Sequence, residues 1–297
     1  MRLASKGGMG FFERQSFYLF RVRKRLGQVG KYESGAPKKL LFIVGCQRSG
    51  TTLLHHIFRL DHHTATYDEF SRLSREDTER LGLDPREKVM ARIATDRPPL
   101  IVAKPLVESQ NVRDILDWAP EARAIWIYRD FRDVAASNPE YFGGDKGHRD
   151  LAHILATDDA NWRLQNMDPD DVEKIRTVYT PDIGPHDAAA LFWWARNSLF
   201  FSRACHEDER VALCRYFDLV NHPGVVMRRA YDFVGRPYPG DHITQDVVTD
   251  SVGRGRDIPL SDGVRDMCEA LLARLDASPG MRIDLRQDAA QAQVSGL

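Results

Sequence analysis

Residues 40–58 read LLFIVGCQRSGTTLLHHIF and contain three successive patterns. The apolar run at 40–44 is typical of a buried strand, and the glycine-containing stretch at 45–52 is typical of a tight loop. From Leu53 onward the apolar residues recur at helical spacing, so a helix is expected to follow the loop. A glycine loop that opens a helix directs several free backbone N–H groups at one point. The stretch therefore predicts a site for an anion such as a phosphate group.

This loop differs from the phosphate-binding loop of nucleotide triphosphatases at one decisive position. The spacing from Gly45 to Gly50 matches that motif, but Thr51 stands where the motif has its lysine. The cationic side chain is instead Arg48, at the mouth of the loop. Because no lysine reaches the outer phosphates, the loop is expected to bind a smaller leaving group than a triphosphate. An ordinary strand-to-helix turn is the alternative interpretation.

A second strand-to-helix junction lies at residues 122–137, which read ARAIWIYRDFRDVAAS. Arg129 follows the apolar strand directly, and Ser137 lies about two turns into the helix that comes next. The arginine fork and the serine hydroxyl are suited to hold one phosphate together. Two phosphate sites on neighbouring strand ends predict a nucleotide that is phosphorylated twice.

The two junctions together resemble the paired signatures of sulfotransferases that use 3′-phosphoadenosine 5′-phosphosulfate (PAPS). The resemblance implies that the first loop holds the 5′-phosphosulfate through Arg48, Ser49, Gly50, Thr51 and Thr52. It also implies that Arg129 and Ser137 hold the 3′-phosphate. This sequence differs from the family pattern at two positions near the 3′-phosphate site. Tyr141 stands where some relatives have a further phosphate-binding arginine, and Phe131 replaces the usual proline.

Two later segments extend the resemblance. Residues 211–219 are similar to the family's strand that carries Arg-Tyr-Glu-x-Leu, which implies that Tyr216 belongs to the nucleotide site. Residues 251–256, SVGRGR, are similar to a late basic loop that closes over the 3′-phosphate. This similarity implies that the nucleotide site also includes Ser251, Arg254 and Arg256. An exposed basic turn is the alternative for this short segment.

Transfer of a sulfuryl group needs a base for the acceptor hydroxyl and positive charge on the departing oxygen. The cytosolic branch of the family uses a histidine in a Lys-x-His setting after its second strand, whereas this chain has Leu106 at that histidine position. In the tyrosylprotein branch and related bacterial enzymes a glutamate after the first helix is the base, which implies Glu69 here. Lys104, with Arg48, is then the catalytic cation on the bridging oxygen.

Several alternatives to these assignments stay open. Asp68 or a nearby histidine is an alternative base, and Glu69 is otherwise structural. Lys104 is otherwise a strand-end lysine in solvent. A metal site is not expected, because the histidines past the loop lack any accompanying carboxylate or cysteine spacing. These histidines are His55, His56, His62 and His63.

The chain has 297 residues, of which 42% are hydrophobic, enough for one sizeable core. Alternating strands and helices predict an α/β fold, a doubly wound parallel sheet of the P-loop NTPase-like type with flanking helices. We expect one such domain over residues 40–297, with its sites at the carboxyl edge of the sheet. Polar residues 139–185 predict an irregular helical cap over the acceptor, and the helix after Ser137 is expected to kink or end at Pro139.

Residues 1–39 form a basic and aromatic segment, expected either to pack on the domain as a helix or to touch a membrane surface peripherally. The formal net charge of −1 gives no overall attraction to nucleic acid. There is no apolar run long enough to span a bilayer and no signal-peptide pattern, which favours a cytoplasmic location. The four cysteines lack metal or redox spacing, as expected for free thiols.

The sequence thus predicts an enzyme that moves a sulfuryl group in line from PAPS to a hydroxyl, or as second choice an amine. The acceptor is expected to be a small molecule, a saccharide or a lipid. A P-loop kinase of small molecules is the rival enzyme, disfavoured by Thr51 and by the lack of an evident acidic metal ligand at a strand end. A regulatory nucleotide-binding protein without catalysis would keep Arg129 and Ser137 but would not need Glu69 or Lys104.

Overall fold

The computed structural model describes residues 20–279 except residues 21, 25, 34, 76–80 and 157–160. The strands are β1 (Lys39–Gly45), β2 (Thr64–Tyr67), β3 (Leu100–Ala103), β4 (Arg123–Tyr128) and β5 (Val211–Arg215). The helices are α1 (Thr51–Leu60), α2 (Arg86–Ala94), α3 (Val112–Leu116), α4 (Phe131–Phe142), α5 (Lys146–Leu155), α6 (Pro169–Val178), α7 (Pro185–Ser202), α8 (Tyr216–Asn221), α9 (Pro223–Phe233) and α10 (Asp262–Ala277). Short 3₁₀ turns lie at Leu106–Asn111, Cys205–Glu207 and Asp241–Ile243.

The five strands form one sheet in the order β2-β3-β1-β4-β5, and all of the pairs are parallel. Strand β1 lies at the centre, where Phe42 is opposite Ala103 of β3 on one side and Ala124 of β4 on the other. The chain visits β2 and β3 on one side of β1 before it crosses to β4 and β5. The loop after β1 therefore lies where the strand order reverses, as ligand sites do in such sheets. The predicted doubly wound α/β fold is confirmed.

Strand β1 is apolar from Leu40 to Val44 because helices cover both faces of the sheet. Leu40, Phe42 and Val44 belong to the core on the side of α4, α5 and α7. Leu41 and Ile43 point the other way, into the core shared with α1 and α9. Burial on both faces removes the alternation of polar and apolar residues that marks a half-exposed strand.

Residues 139–185, predicted to form a helical cap, contain two helices, α5 and α6. Helix α6 begins at an Asp-Pro pair: Asp168 accepts a hydrogen bond from the backbone N–H of Asp170 (2.9 Å), and Pro169 is the first helical residue. Helix α4 also continues past Pro139 to Phe142 instead of ending there, and its last turn is closed by the Gly143 N–H to the Pro139 carbonyl (2.9 Å).

The described part of the N-terminal segment packs against the edge strand β2. Lys24 donates to the Arg59 carbonyl (2.7 Å) and to Thr64 Oγ1 (3.0 Å), and Gln28 donates to the His62 carbonyl (2.7 Å). Burial lowers the pKa of Lys24 to about 7. The aromatic residues at positions 11, 12, 17 and 18 lie outside the described residues. Of the helices that the structure describes, none combines the length and apolarity needed to cross a membrane.

Candidate active site

The carboxyl ends of the five strands meet at one edge of the sheet, and each is followed by a residue singled out in the sequence. The anion loop follows β1, Lys104 follows β3 and Arg129 follows β4. Glu69 lies two residues past β2, and Tyr216 directly follows β5. Because all the strands are parallel, groups far apart in the chain converge on this edge.

The anion loop is shaped by backbone conformations that favour glycine. Gly45 (φ +132°) lies so close to the Ile127 carbonyl that a Cβ would collide with it, and a Cβ at Gly50 (φ +96°) would collide with the Tyr216 ring. Arg48 also has a positive φ, of 64°, which is uncommon for a residue with a side chain. This path turns the chain sharply between β1 and α1.

Helix α1 begins with Gly50 as its N-cap, and no side chain caps it. The first N–H groups of a helix have no partner within the helix, and they carry partial positive charge. The Ser49 hydroxyl is buried and has no hydrogen-bond partner among the described residues. The turn therefore presents donors and a hydroxyl to one small volume, which suits an anion.

Arg48 and Ser137 are in direct contact, since Arg48 Nε donates to Ser137 Oγ (3.0 Å). The Arg48 guanidinium also lies over the ring of Tyr141, 4.2 Å from its centroid. Burial lowers the pKa of Arg48, and the charge of nearby Arg129 adds to the effect. Arg48 and Ser137, which are 89 residues apart, thus bring the two sequence motifs into contact, and the Arg129 guanidinium lies near them.

Arg129 is buried and held from several sides. Its guanidinium contacts the Asp133 carboxylate (3.3 Å), the Arg48 carbonyl (3.5 Å) and the Ser251 carbonyl, and it lies 4.7 Å from the centroid of the Tyr216 ring. The Tyr216 hydroxyl is 2.6 Å from Ser251 Oγ. The structure therefore brings together Arg129, Tyr216 and Ser251, which the sequence proposed separately.

Asp133 was not identified from the sequence, and it holds the loop of residues 251–256 against α4. Its carboxylate accepts hydrogen bonds from the backbone N–H groups of Gly253 (3.0 Å) and Gly255 (2.9 Å) while it pairs with Arg129. Arg129 lies just before α4 and Asp133 in its first turn, and their spacing of four residues is the signal that would have found this pair. The side chains of Arg254 and Arg256, in the same loop, are exposed.

On the other side of the anion loop, Lys104 and Glu69 form an ion pair. Lys104 Nζ lies 2.7 Å and 2.6 Å from the two carboxylate oxygens of Glu69, and 3.2 Å from Thr52 Oγ1 in the first turn of α1. The side chains are 7% and 13% exposed, so solvent screens the pair little. A cation and a carboxylate thus lie together at the end of the anion loop.

Two of the histidines past the loop, His55 and His56 in α1, are held as neutral groups. Burial, with the charge of Lys104 adding to it, lowers the pKa of His55 to about 3, and burial lowers that of His56 to about 4. Such weak bases accept a proton poorly near neutral pH. No group of three or more His, Cys, Asp or Glu side chains able to hold a metal ion occurs in the described ranges.

A cavity of about 730 Å³ opens beside this ion pair, along the edge strand β2. Asp68 and Phe70, the neighbours of Glu69 in the chain, line it, as do His55 and Lys24.

The family model of the sulfotransferase domain matches residues 38–252. The chain belongs to the sulfotransferase family and is a sulfotransferase enzyme. Known structures are similar at low identity. A sulfotransferase from Alicyclobacillus acidocaldarius is 16% identical, with 82% of this chain and 96% of that chain covered and a TM-score of 0.48. The sulfotransferase domain of the Synechococcus PCC 7002 olefin synthase is 16% identical (81% and 98% covered, TM-score 0.43). Mouse sulfotransferase SULT7A1 complexed with PAP is 12% identical (77% and 70% covered, TM-score 0.34). No curated protein matches the chain.

Proposed function

We propose that this enzyme transfers a sulfuryl group from PAPS, in line, to a hydroxyl of a small molecule, a saccharide or a lipid. The single observation that carries the proposal is the buried Glu69–Lys104 pair beside Thr52, at the end of the anion loop. This arrangement supplies a base and a cation next to a phosphate-binding turn, as sulfuryl transfer requires. A cytoplasmic location is part of the proposal, supported by four free cysteines.

The nucleotide is assigned to the two junctions that meet at Arg48. The unpartnered Ser49 hydroxyl and the uncapped start of α1 suit the 5′-phosphosulfate. Arg129 and Ser137 suit the 3′-phosphate, with Tyr216 and Ser251 beside them. Arg254 and Arg256, which are exposed, are assigned a part in closing over the 3′-phosphate.

Glu69 is the proposed base for the acceptor. Its carboxylate takes the hydroxyl proton as the acceptor oxygen forms its bond to sulfur, while the bond from sulfur to the bridging phosphate oxygen breaks. Lys104 and Arg48 stabilise the negative charge that develops on that bridging oxygen and on the sulfuryl oxygens. The products are the sulfated acceptor and adenosine 3′,5′-bisphosphate, and no metal takes part.

The proposal predicts that the enzyme binds a nucleotide phosphorylated at both the 3′ and the 5′ positions more tightly than nucleotides without a 3′-phosphate. Adenosine 3′,5′-bisphosphate should raise the melting temperature far more than AMP or ATP at equal concentration, because ligand binding stabilises the folded chain by mass action. A thermal shift titration with the three nucleotides measures this. Equal shifts for all three would contradict the proposal.

Arg129→Ala should weaken binding of the bisphosphate by about 2–5 kcal/mol, the usual cost of truncating one partner of a buried charge pair. Binding of AMP should change little, because AMP lacks the 3′-phosphate. Calorimetry with both nucleotides measures the difference, and Arg132→Ala, whose guanidinium pairs with Glu269 nearby, is a matched control. A similar loss for both nucleotides would show that Arg129 does not recognise the 3′-phosphate.

Activity should survive an excess of chelator. Positive charge for the transfer is assigned to Lys104 and Arg48, so removal of divalent cations should not change turnover. The measurement is turnover with and without chelator. Loss of activity that magnesium restores would favour a kinase-like reaction instead.

A further inference from the structure

Arg196, in the middle of α7, is a buried cation that forms no ion pair with an acidic side chain of the described residues. The residue is 2% exposed, and its Nη2 donates to Gln110 Oε1 (2.7 Å). Its Nη1 is buried and has no hydrogen-bond partner among the residues that the structure describes. Burial lowers the pKa of Arg196 to about 10, which leaves the guanidinium charged near neutral pH. A buried charge that lacks an opposite charge destabilises a folded chain unless a ligand supplies one.

A second buried donor without a partner lies beside it. Trp162 Nε1 is buried and, within the described part of the chain, donates to no acceptor. The Arg196 guanidinium lies 5.0 Å from the centroid of the Trp162 ring, and the Trp162 ring meets Phe192 edge-on at 6.5 Å. Two unused N–H donors and an aromatic wall therefore lie next to one another.

The nearest carboxylates are already engaged elsewhere. Asp150 pairs with Lys146 and with Arg163 (2.6 Å), and it accepts a further hydrogen bond from Gln47 (3.4 Å). Three cations, Lys146, Arg163 and Arg196, thus surround one carboxylate.

Glu108, the other carboxylate close enough to affect Arg196, is also committed. It accepts hydrogen bonds from the Leu83 N–H (2.9 Å) and from Asn111 Nδ2 (2.7 Å), and Arg75 lies 3.8 Å from it. The cluster consequently has an excess of positive charge at Arg196.

The cluster adjoins the proposed reaction centre through two elements. Gln47, which contacts Asp150, belongs to the anion loop. Gln110, which contacts Arg196, belongs to the 3₁₀ turn that begins two residues after Lys104. The turn that carries Gln110 thus connects Arg196 with Lys104 along the chain.

We propose that Arg196 and Trp162 form a subsite for a carboxylate of the acceptor, so that the acceptor is a hydroxy acid. Arg196 Nη1 and Trp162 Nε1 each donate to a carboxylate oxygen, and the rings of Trp162 and Phe192 contact the carbon skeleton beside it. This inference rests on the proposed function, because it assigns the acceptor of the same reaction.

The test compares two probes that differ in charge and little in shape, 4-hydroxybenzoate and 4-hydroxybenzamide. Their binding to the full chain, saturated with adenosine 3′,5′-bisphosphate, is measured by calorimetry. The wild type should bind the acid at least about tenfold more tightly than the amide, as expected for a charge-assisted contact. Arg196→Met should abolish this preference, and Trp162→Phe, which keeps the ring but removes the donor, should reduce it.

The matched control is Arg203→Met, the same substitution at the end of α7. It should leave the preference for the acid unchanged. Arg196→Met should also raise the melting temperature of the ligand-free chain, because it removes an uncompensated buried charge while it keeps an apolar side chain of similar length. A lower melting temperature with an unchanged preference for the acid would show that Arg196 is only structural and would overturn the subsite.

The remaining outcomes also decide the matter. If the wild type binds the acid and the amide equally, or does not detectably bind the acid, the subsite is overturned. Binding of the bisphosphate in the same experiment then upholds the proposed function. If the chain does not bind the bisphosphate, the proposed function is contradicted. The ratio of the affinities for the acid and the amide, measured without nucleotide, then tests the subsite by itself. If Arg196→Met does not fold, a preference unchanged in Trp162→Phe overturns the proposal.

Discussion

Glu69→Gln is expected to lower turnover of PAPS with a hydroxyl acceptor by about 10²- to 10⁴-fold, the usual effect of removing a general base. The amide cannot take the acceptor proton, but its oxygen can still accept the hydrogen bond from Lys104 Nζ that Glu69 accepts at 2.7 Å. Nucleotide affinity should therefore stay close to that of the wild type, whereas the melting temperature of the ligand-free chain should fall, because Lys104 loses its opposite charge. Steady-state kinetics with saturating PAPS measure the loss.

Asp68→Asn is the matched control for this experiment, because it makes the same change at the adjacent carboxylate. The Asp68 carboxylate accepts only a local hydrogen bond, from the Phe70 N–H (3.2 Å), among the described residues, and the Asp68→Asn variant should turn over near the wild-type rate. Single alanine variants test the alternative bases His55, His56, His62 and His63. A collapse of the rate in Asp68→Asn or in a histidine variant, with Glu69→Gln near the wild type, would assign the base elsewhere.

Lys104→Ala is expected to lower turnover by about 10²- to 10³-fold, the range for loss of one group that stabilises developing charge. The lysine is proposed to contact the bridging oxygen, whose charge grows in the transition state, so kcat should fall more than nucleotide affinity. Rapid kinetics and calorimetry on the same preparation separate the two quantities.

Lys39→Ala is a suitable control, because Lys39 is a partly exposed lysine that pairs with Glu121 at the opposite end of the sheet. Its activity should be unchanged. A Lys104→Ala variant that turns over at the wild-type rate, or one whose entire defect is weaker nucleotide binding, would remove Lys104 from the chemical step.

The sequence predicts the centre of this fold well, because local patterns determine it. The apolar run of β1, the glycine loop and the helical spacing from Leu53 are all contained within residues 40–58. The parallel sheet follows from the alternation of strands and helices, and a parallel sheet places Lys104 and Arg129 at the same edge.

Other features depend on contacts between distant residues, and the sequence does not predict them. Asp133 holds Gly253 and Gly255, which are 120 and 122 residues away, so its role is visible only in three dimensions. The acidic and proline-rich signals of the cap are typical of loops and of helix starts alike, so the sequence does not show where α6 begins. The lack of an acidic partner for Arg196 is likewise a property of packing.

The roles of the site residues stay predictions, although the structure places most of them at one edge. The Glu69–Lys104 pair and the Arg48–Ser137 contact are geometric facts, whereas their parts in proton transfer and phosphate binding are proposals.

A crystal structure of the chain with adenosine 3′,5′-bisphosphate tests the central claim most directly. The account predicts the 5′-phosphate at the N–H groups of residues 49–52, with the 3′-phosphate within hydrogen-bond distance of Arg129 and Ser137. Lys104 should then lie next to the 5′-phosphate oxygen from which the sulfuryl group would depart. A nucleotide bound outside the loop, or a 3′-phosphate that contacts neither Arg129 nor Ser137, would contradict the account.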